Sequence, residues 1–272
     1  MPLRFAFLLS AGLVLPPAGA SPHARAAQSI LRVVSTEYAL VVSAPPYSGL
    51  VTVRLVNRGR QMHHVVVSPV VDSLTLRHFY ELAIANQPTA LVRDIGGPNL
   101  TAPGDSSEVT LFLAAGRYVL TCWVNAADGK PHIMHGMMSE LRVGRGAKAL
   151  PPPSATVVIR ASDYAFDISG RWRAGDNTIA FENNGPQEHD VQLVRLSSHQ
   201  SIDTIRRWAE SGGVGGPSAA IVGGSTGIDK GRRVWFTLNL PPGRYAMFCF
   251  VPDARDGKMH LLHGMLREIV IS

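Results

Sequence analysis

Cysteine is scarce in this 272-residue chain: there are two. Two thiols exclude a disulfide-rich scaffold and any four-cysteine zinc or iron–sulfur site. Aromatic residues make up only 7%. Beyond the N-terminal region, no stretch approaches the ~20 apolar residues that a bilayer-spanning helix requires. No run of Lys and Arg interleaved with aromatics occurs, so nucleic-acid binding has no footprint. No Ser/His/Asp order or paired carboxylates recur in a form that would build a hydrolase. What remains is 46% hydrophobic and 17% charged residues, with 26 Gly and 19 Pro. Such a chain is too apolar for disorder and long enough for two domains.

Residues 1–27 read as an export leader. Arg4 gives a positive start, Phe5 to Leu15 an apolar run, and Ala18-Gly19-Ala20 or Ala24-Arg25-Ala26 a small-residue cleavage site. A periplasmic or secreted protein follows, with no membrane span once the leader is removed. Loss of Arg4 and Arg25 lowers the formal net charge from +6 to +4, a mildly basic surface.

The remainder is written twice. Asn57-Arg58-Gly59-Arg60-Gln61-Met62-His63-His64-Val65 aligns with Asn183-Asn184-Gly185-Pro186-Gln187-Glu188-His189-Asp190-Val191, and Tyr38 aligns with Tyr164 at the same offset. One residue further out of step, Asp94 to Gly97 aligns with Ile221 to Gly224, Gly116-Arg117-Tyr118 with Gly243-Arg244-Tyr245, and Cys122 with Cys249. His132, His135 and Met137 align with His260, His263 and Met265 after one more inserted residue. A tandem duplication explains this drift. The expected units are 28–145 and 157–272, joined by a linker over 146–156 that contains Pro151-Pro152-Pro153.

Inside each copy the apolar period is two. Leu50–Val56, Glu108–Leu113, Asn177–Phe181 and Val234–Leu238 have strand composition, and Ala114-Ala115-Gly116 and Pro241-Pro242-Gly243 read as turns. Around 78–86 and 202–210 the spacing shifts toward a short helix. The expected fold is all-β: two tandem Greek-key β-sandwiches, each with one helical insertion.

Tyr118 and Cys122, like Tyr245 and Cys249, are four apart, so on a strand they share one face. His63 shares a face with Val65 and Val67, and His189 with Val191 and Leu193. Each copy therefore carries one His and one Cys to the core side of two strands. A loop after each cysteine adds His132 or His135 with Met137 or Met138 in the first copy, and His260 or His263 with Met265 in the second. Two imidazoles, one thiolate and one thioether form the donor set of a type 1 copper site, soft enough for Cu(I) and hard enough for Cu(II).

Both halves resemble cupredoxin (blue copper, plastocyanin/azurin-like) domains. The resemblance is carried by the Asn-x-Gly-x-x-x-His entry, the Gly-x-Tyr-x-x-x-Cys strand and the His-x-x-x-Gly-Met loop, twice in order. It implies copper held by His63, Cys122, His132 and Met137, and by His189, Cys249, His260 and Met265. The long gap from Cys to His is similar to that of copper nitrite reductases. Family members carry Asn directly after the first histidine, where His64 and Asp190 stand here.

The resemblance implies a carrier of single electrons with a redox partner protein, two type 1 coppers and no catalytic residue. In the oxidases and nitrite reductases of the family, a His beside the cysteine binds a second, catalytic copper. Here Thr121 and Trp123 flank Cys122, and Phe248 and Phe250 flank Cys249. Two alternatives stand beside the carrier: a copper-handling or storage protein, and a copper reductase or oxidase with a second copper built from His64, His135 or His263 at a subunit contact.

Overall fold

The computed structural model describes residues 29–85, 93–146, 150–214 and 216–272. The leader expected over 1–27 and part of the linker lie outside them. The first half contains β1 Ser29–Thr36, β2 Ala39–Val42, β3 Gly49–Asn57, β4 Val66–Val70, β5 Ser106–Leu113, β6 Gly116–Thr121 and β7 Met138–Val143. The second half contains β8 Val157–Ser162, β9 Ala165–Gly170, β10 Gly175–Asn183, β11 His189–Leu196, β12 Ala220–Ile228, β13 Arg233–Leu240, β14 Gly243–Phe248 and β15 Leu266–Ile271. The expected helices are present as α1, Leu76–Ile84, and α2, Ile202–Glu210. Thr75 caps the first and Ser201 the second, each accepting a backbone N–H in the first turn. Neither is long and apolar enough to cross a membrane.

The strands form because alternate residues are apolar and buried. Leu31 and Val33 of β1, Val51, Val53 and Leu55 of β3, and Val109, Leu111 and Leu113 of β5 all face one core. Each such side chain contributes roughly 1.5–3 kcal/mol when removed from water. The other layer of the first sandwich is β4-β6-β7, and of the second β12-β11-β14-β15.

The halves do not hang apart on their linker. One eight-stranded sheet, in the order β2-β1-β3-β5-β13-β10-β8-β9, runs through both. Its seam pairs β5 with β13, its duplicate, in antiparallel sense through Thr110 and Trp235. In the opposite layer the 94–101 segment lies against β12, again its duplicate, with bridges Ile95 to Ile228 and Pro98 to Ser225. The Thr226 N–H donates to the Gly97 carbonyl at 2.8 Å and the Asp229 N–H to the Asp94 carbonyl at 2.9 Å. Equivalent segments pairing about a local two-fold give the geometry of an isologous dimer interface inside one chain. Where β12 forms a full strand, 94–101 has only isolated bridges, and Gly97 sits where a Cβ would lie 2.1 Å from the Val65 carbonyl oxygen.

Candidate metal centres

Each pocket is assembled at one end of a sandwich from three places. Cys122 and Cys249 come one residue after β6 and β14. His189 opens β11, whereas His63 stands three residues before β4, held by a bridge to Thr101. The expectation of His63 on a strand thus holds only as a single bridge. His132 and His260 open 3-10 turns, His132–His135 and His260–His263. The loop is stapled the same way twice: Cys122 N–H to Met137 O at 3.2 Å and Met137 N–H to His132 O at 3.1 Å, against 3.1 Å for both bonds in the Cys249, Met265 and His260 copy.

The result is two near-identical groups of side chains with no solvent exposure. His63 and His132 approach through their Nδ1 atoms at 3.1 Å, and Cys122 Sγ lies 3.9 Å from the first and 3.5 Å from the second. In the second group the corresponding separations are 3.1, 4.0 and 3.6 Å among His189, His260 and Cys249. Metal–nitrogen bonds of about 2.0 Å and metal–sulfur bonds of about 2.3 Å around one tetrahedral ion put their donors about 3.3 and 3.5 Å apart. The donor atoms therefore stand at the spacing one ion requires. Both cysteines are free and buried, with no disulfide between them. Met137 and Met265 are fully buried beside them.

The donors are in the right protonation state or one proton away from it. Burial, with the neighbouring imidazole second, pushes His132 and His260 down to about 4. Burial also lowers His63 and His189. All four rings are neutral at neutral pH. Burial raises the Cys122 thiol to about 12 and the Cys249 thiol well above its ordinary value, so each must shed a proton to bind a cation.

Groups that the duplication pattern displayed but sequence reasoning passed over hold the outer nitrogens. Glu37 Oε1 lies 3.3 Å from His63 Nε2, and Asp163 Oδ1 lies 2.8 Å from His189 Nε2. These two acids precede the matched Tyr38 and Tyr164, which was the available signal. Burial works against ionisation of Glu37, but the N–H groups of Gln61 and Arg60 outweigh it and hold the carboxyl below its usual range. The glycine of the Asn-x-Gly motif now has a cause. A Cβ on Gly59 would lie 2.7 Å from His63 Nε2 and 2.5 Å from Glu37 Oε1, and one on Gly185 would lie 2.7 Å from both equivalents.

The competing donors face elsewhere. His135 Nε2 is 3.2 Å from Asp128, and His263 Nε2 is 3.1 Å from Asp256. His64 Nε2 accepts the Trp123 N–H at 2.7 Å. Met138 begins β7 and is only half-buried. His78 and His199, which have no counterpart in the other half, are exposed. A third group, Asp253, Asp256 and His263, lies at the mouth of the second pocket, but the Arg255 guanidinium already sits on Asp253 at 3.2 Å.

Thiolate, thioether and two imidazoles select copper over the harder divalent ions. The fold is cupredoxin-like, and the buried donors present fit copper. No protein-family model matches its sequence, and no curated protein does. Among solved structures, it is similar to a reduced auracyanin from Roseiflexus castenholzii at 24% identity, over 44% of this chain and 98% of that one, TM-score 0.30. It is similar to auracyanin A, a blue copper protein from Chloroflexus aurantiacus, at 17% identity, over 43% and 100%, TM-score 0.32. It is also similar to a copper-containing nitrite reductase from Thermus scotoductus at 14% identity, over 90% of this chain, TM-score 0.25. The chain spans 61% of that reductase.

Proposed function

We propose that this is an exported protein, organised as units 28–145 and 157–272, with two mononuclear type 1 copper sites that pass single electrons between partner proteins. The observation that carries the reading is the pair of solvent-free groups whose donors stand at metal-binding distance and are fixed by the surrounding backbone. His63, Cys122, His132 and Met137 would hold one ion, and His189, Cys249, His260 and Met265 the other. Bound copper would supply a Cu(I)/Cu(II) couple. The residues' part is to keep one geometry for both charge states. The rigid Cys122–Met137 and Cys249–Met265 staples, and the carboxylates on His63 and His189, serve that end by fixing ring orientation and tautomer.

The test is to add Cu(II) to the folded protein and record its absorption. An intense visible thiolate-to-copper band is expected, halved by Cys122→Ser or Cys249→Ser and abolished by both together. Reversible one-electron reduction, with the metal retained through repeated cycles, separates a carrier from a copper store. A colourless protein that takes up no copper would sink the proposal.

A further inference from the structure

The two pockets are duplicates inside but differ on the outer face of the loop histidine. Ala126 and Asp253 each stand four residues past the cysteine, in loops closed by the same bond. That bond is the N–H of Ala126 to Lys130 O at 2.9 Å, or of Asp253 to Lys258 O at 2.8 Å. Both residues are buried, 2% exposed. In the first pocket His132 Nε2 meets the neutral side-chain carbonyl of Gln61 at 3.1 Å. In the second, Asp253 has displaced that arrangement. Gln187, the counterpart of Gln61, is turned to donate to Asp253 Oδ2 at 3.0 Å, and its own carbonyl accepts the Ala254 N–H at 2.8 Å. His260 Nε2 is left without a hydrogen bond, 3.8 Å from Asp253 Oδ2.

An imidazole that binds metal through Nδ1 carries its proton on Nε2. In the first pocket that N–H meets a dipole, and in the second it lies near a carboxylate whose Oδ2 also takes the Tyr164 hydroxyl and the Gln187 amide. A carboxylate there makes the ring a stronger donor and favours the higher charge on the metal. Arg255 offsets little of this. It sits on the other oxygen, Oδ1, and is 70% exposed, so solvent and salt screen its charge. The inner carboxylates, Glu37 at 3.3 Å and Asp163 at 2.8 Å, bear on the other histidine of each pocket, so variants at Asp253 and Ala126 isolate the effect on the loop histidine.

We propose that Asp253 makes the two centres unequal and holds the C-terminal one at the lower reduction potential. The inference rests on the copper reading above. Asp253 would act through His260 as a positioning residue, and its signature is a potential rather than a loss of binding.

The experiment is a spectroelectrochemical titration of the full-length, copper-loaded protein, with Cys122→Ser and Cys249→Ser assigning each potential to its centre. Two potentials are expected, the lower one C-terminal. Asp253→Asn should shift the C-terminal Cu(I)/Cu(II) equilibrium toward Cu(I) by about tenfold, ~59 mV for one electron, and leave the N-terminal one in place. Asp253→Ala, which recreates the residue of the first half, should shift it in the same direction. Ala126→Asp should lower the N-terminal potential. Copper bound in both centres with potentials that none of these variants moves would overturn this inference and leave the copper reading standing. A protein that binds no copper at the cysteines would overturn both.

Discussion

His64 and Asp190, duplicates of one another, each accept the backbone N–H of the residue that follows the cysteine. His64 Nε2 accepts from Trp123 at 2.7 Å, and Asp190 Oδ1 from Phe250 at 2.8 Å. Both therefore tie the histidine segment to the cysteine strand. Their own backbone N–H groups complete the tie from the other side, donating to Cys122 Sγ at 3.5 Å and Cys249 Sγ at 3.4 Å. An imidazole can accept only when that nitrogen is unprotonated. Burial secures this by pushing His64 down to about 3. At the seam between the halves, Asn99 donates to Asp190 Oδ2 at 3.3 Å and also bonds His64.

Removing one of these ties should loosen its pocket without unfolding the protein. His64→Ala leaves the Trp123 N–H without its partner, a loss of about 1–3 kcal/mol. Urea unfolding of the copper-free protein measures it, and His64→Asn should recover most of the loss. Equal stability of the Ala variant and the parent would show that the bond carries no weight.

Asp190 also gives a pH signature. Burial outweighs its hydrogen bonds and raises its carboxyl to about 7, far above its value of about 3.8–3.9 in an unfolded chain. Between about pH 4 and 7 the folded state therefore holds a proton that the unfolded state does not. Its contribution to stability falls as pH rises through that window and is flat above it. Asp190→Asn keeps the acceptor for Phe250 but cannot ionise. Its stability relative to the parent, followed by thermal unfolding of the copper-free protein, should grow from pH 4 to pH 7. A difference that stays constant would contradict this.

Much of the pocket was legible because the duplication acts as its own alignment. His63, Cys122 and His132 were marked by recurrence in the second half, and Val65, Val67 and Tyr118 on the same strands indicated the core face for His63 and Cys122. Three features went unread, although Glu37 before Tyr38 recurs as Asp163 before Tyr164. Glu37 reaches His63 from 26 residues away, through a fold rather than a spacing, and Asp253 has no counterpart in the first half to draw attention to it. The shared sheet was the third. Nothing in the residues of β5 or β13 says that each will pair with its own duplicate, because a seam between two edge strands leaves no periodicity of its own.

The cysteines set the pH dependence of copper uptake. In Cys249→Ser, which isolates the first pocket, binding must displace the thiol proton that burial holds on Cys122 up to about 12. The histidines contribute no proton near neutrality, since His132 lies at about 4 and His63 below its ordinary value. One proton is released per ion, so affinity should rise about tenfold per pH unit between pH 7 and 9. Competition against a chelator of known pH dependence measures the slope. A slope of zero would mean that the sulfur is not a ligand.

The seam itself rests on two glycines that are duplicates. Gly97 has φ +148° and Gly224 φ +152°, and a Cβ would lie 2.1 Å from the Val65 carbonyl oxygen in the first case and 1.9 Å from that of Val191 in the second. Backbone atoms cannot swing aside as a flexible side chain does, so accommodation must move one segment away from its neighbour. At Gly97 that motion breaks bonds on both sides: Val67 N–H to Gly96 O at 3.0 Å within the first half, and Thr226 N–H to Gly97 O across the seam. Gly129 is the control, with φ +78° and nothing within 4 Å of its Cβ position, so Gly129→Ala costs only the backbone penalty of about 1–2 kcal/mol. Gly97→Ala and Gly224→Ala should each cost more than that, at least about 2 kcal/mol beyond the control, since clash and lost hydrogen bonds add to the backbone term. Because one sheet runs through both halves, either substitution should also lower the unfolding midpoint seen by probes in the other half. Chemical unfolding followed separately near Trp123 and near Trp208 tests this. Two independent transitions, only one of them shifted, would show that the halves fold as separate bodies despite the shared sheet.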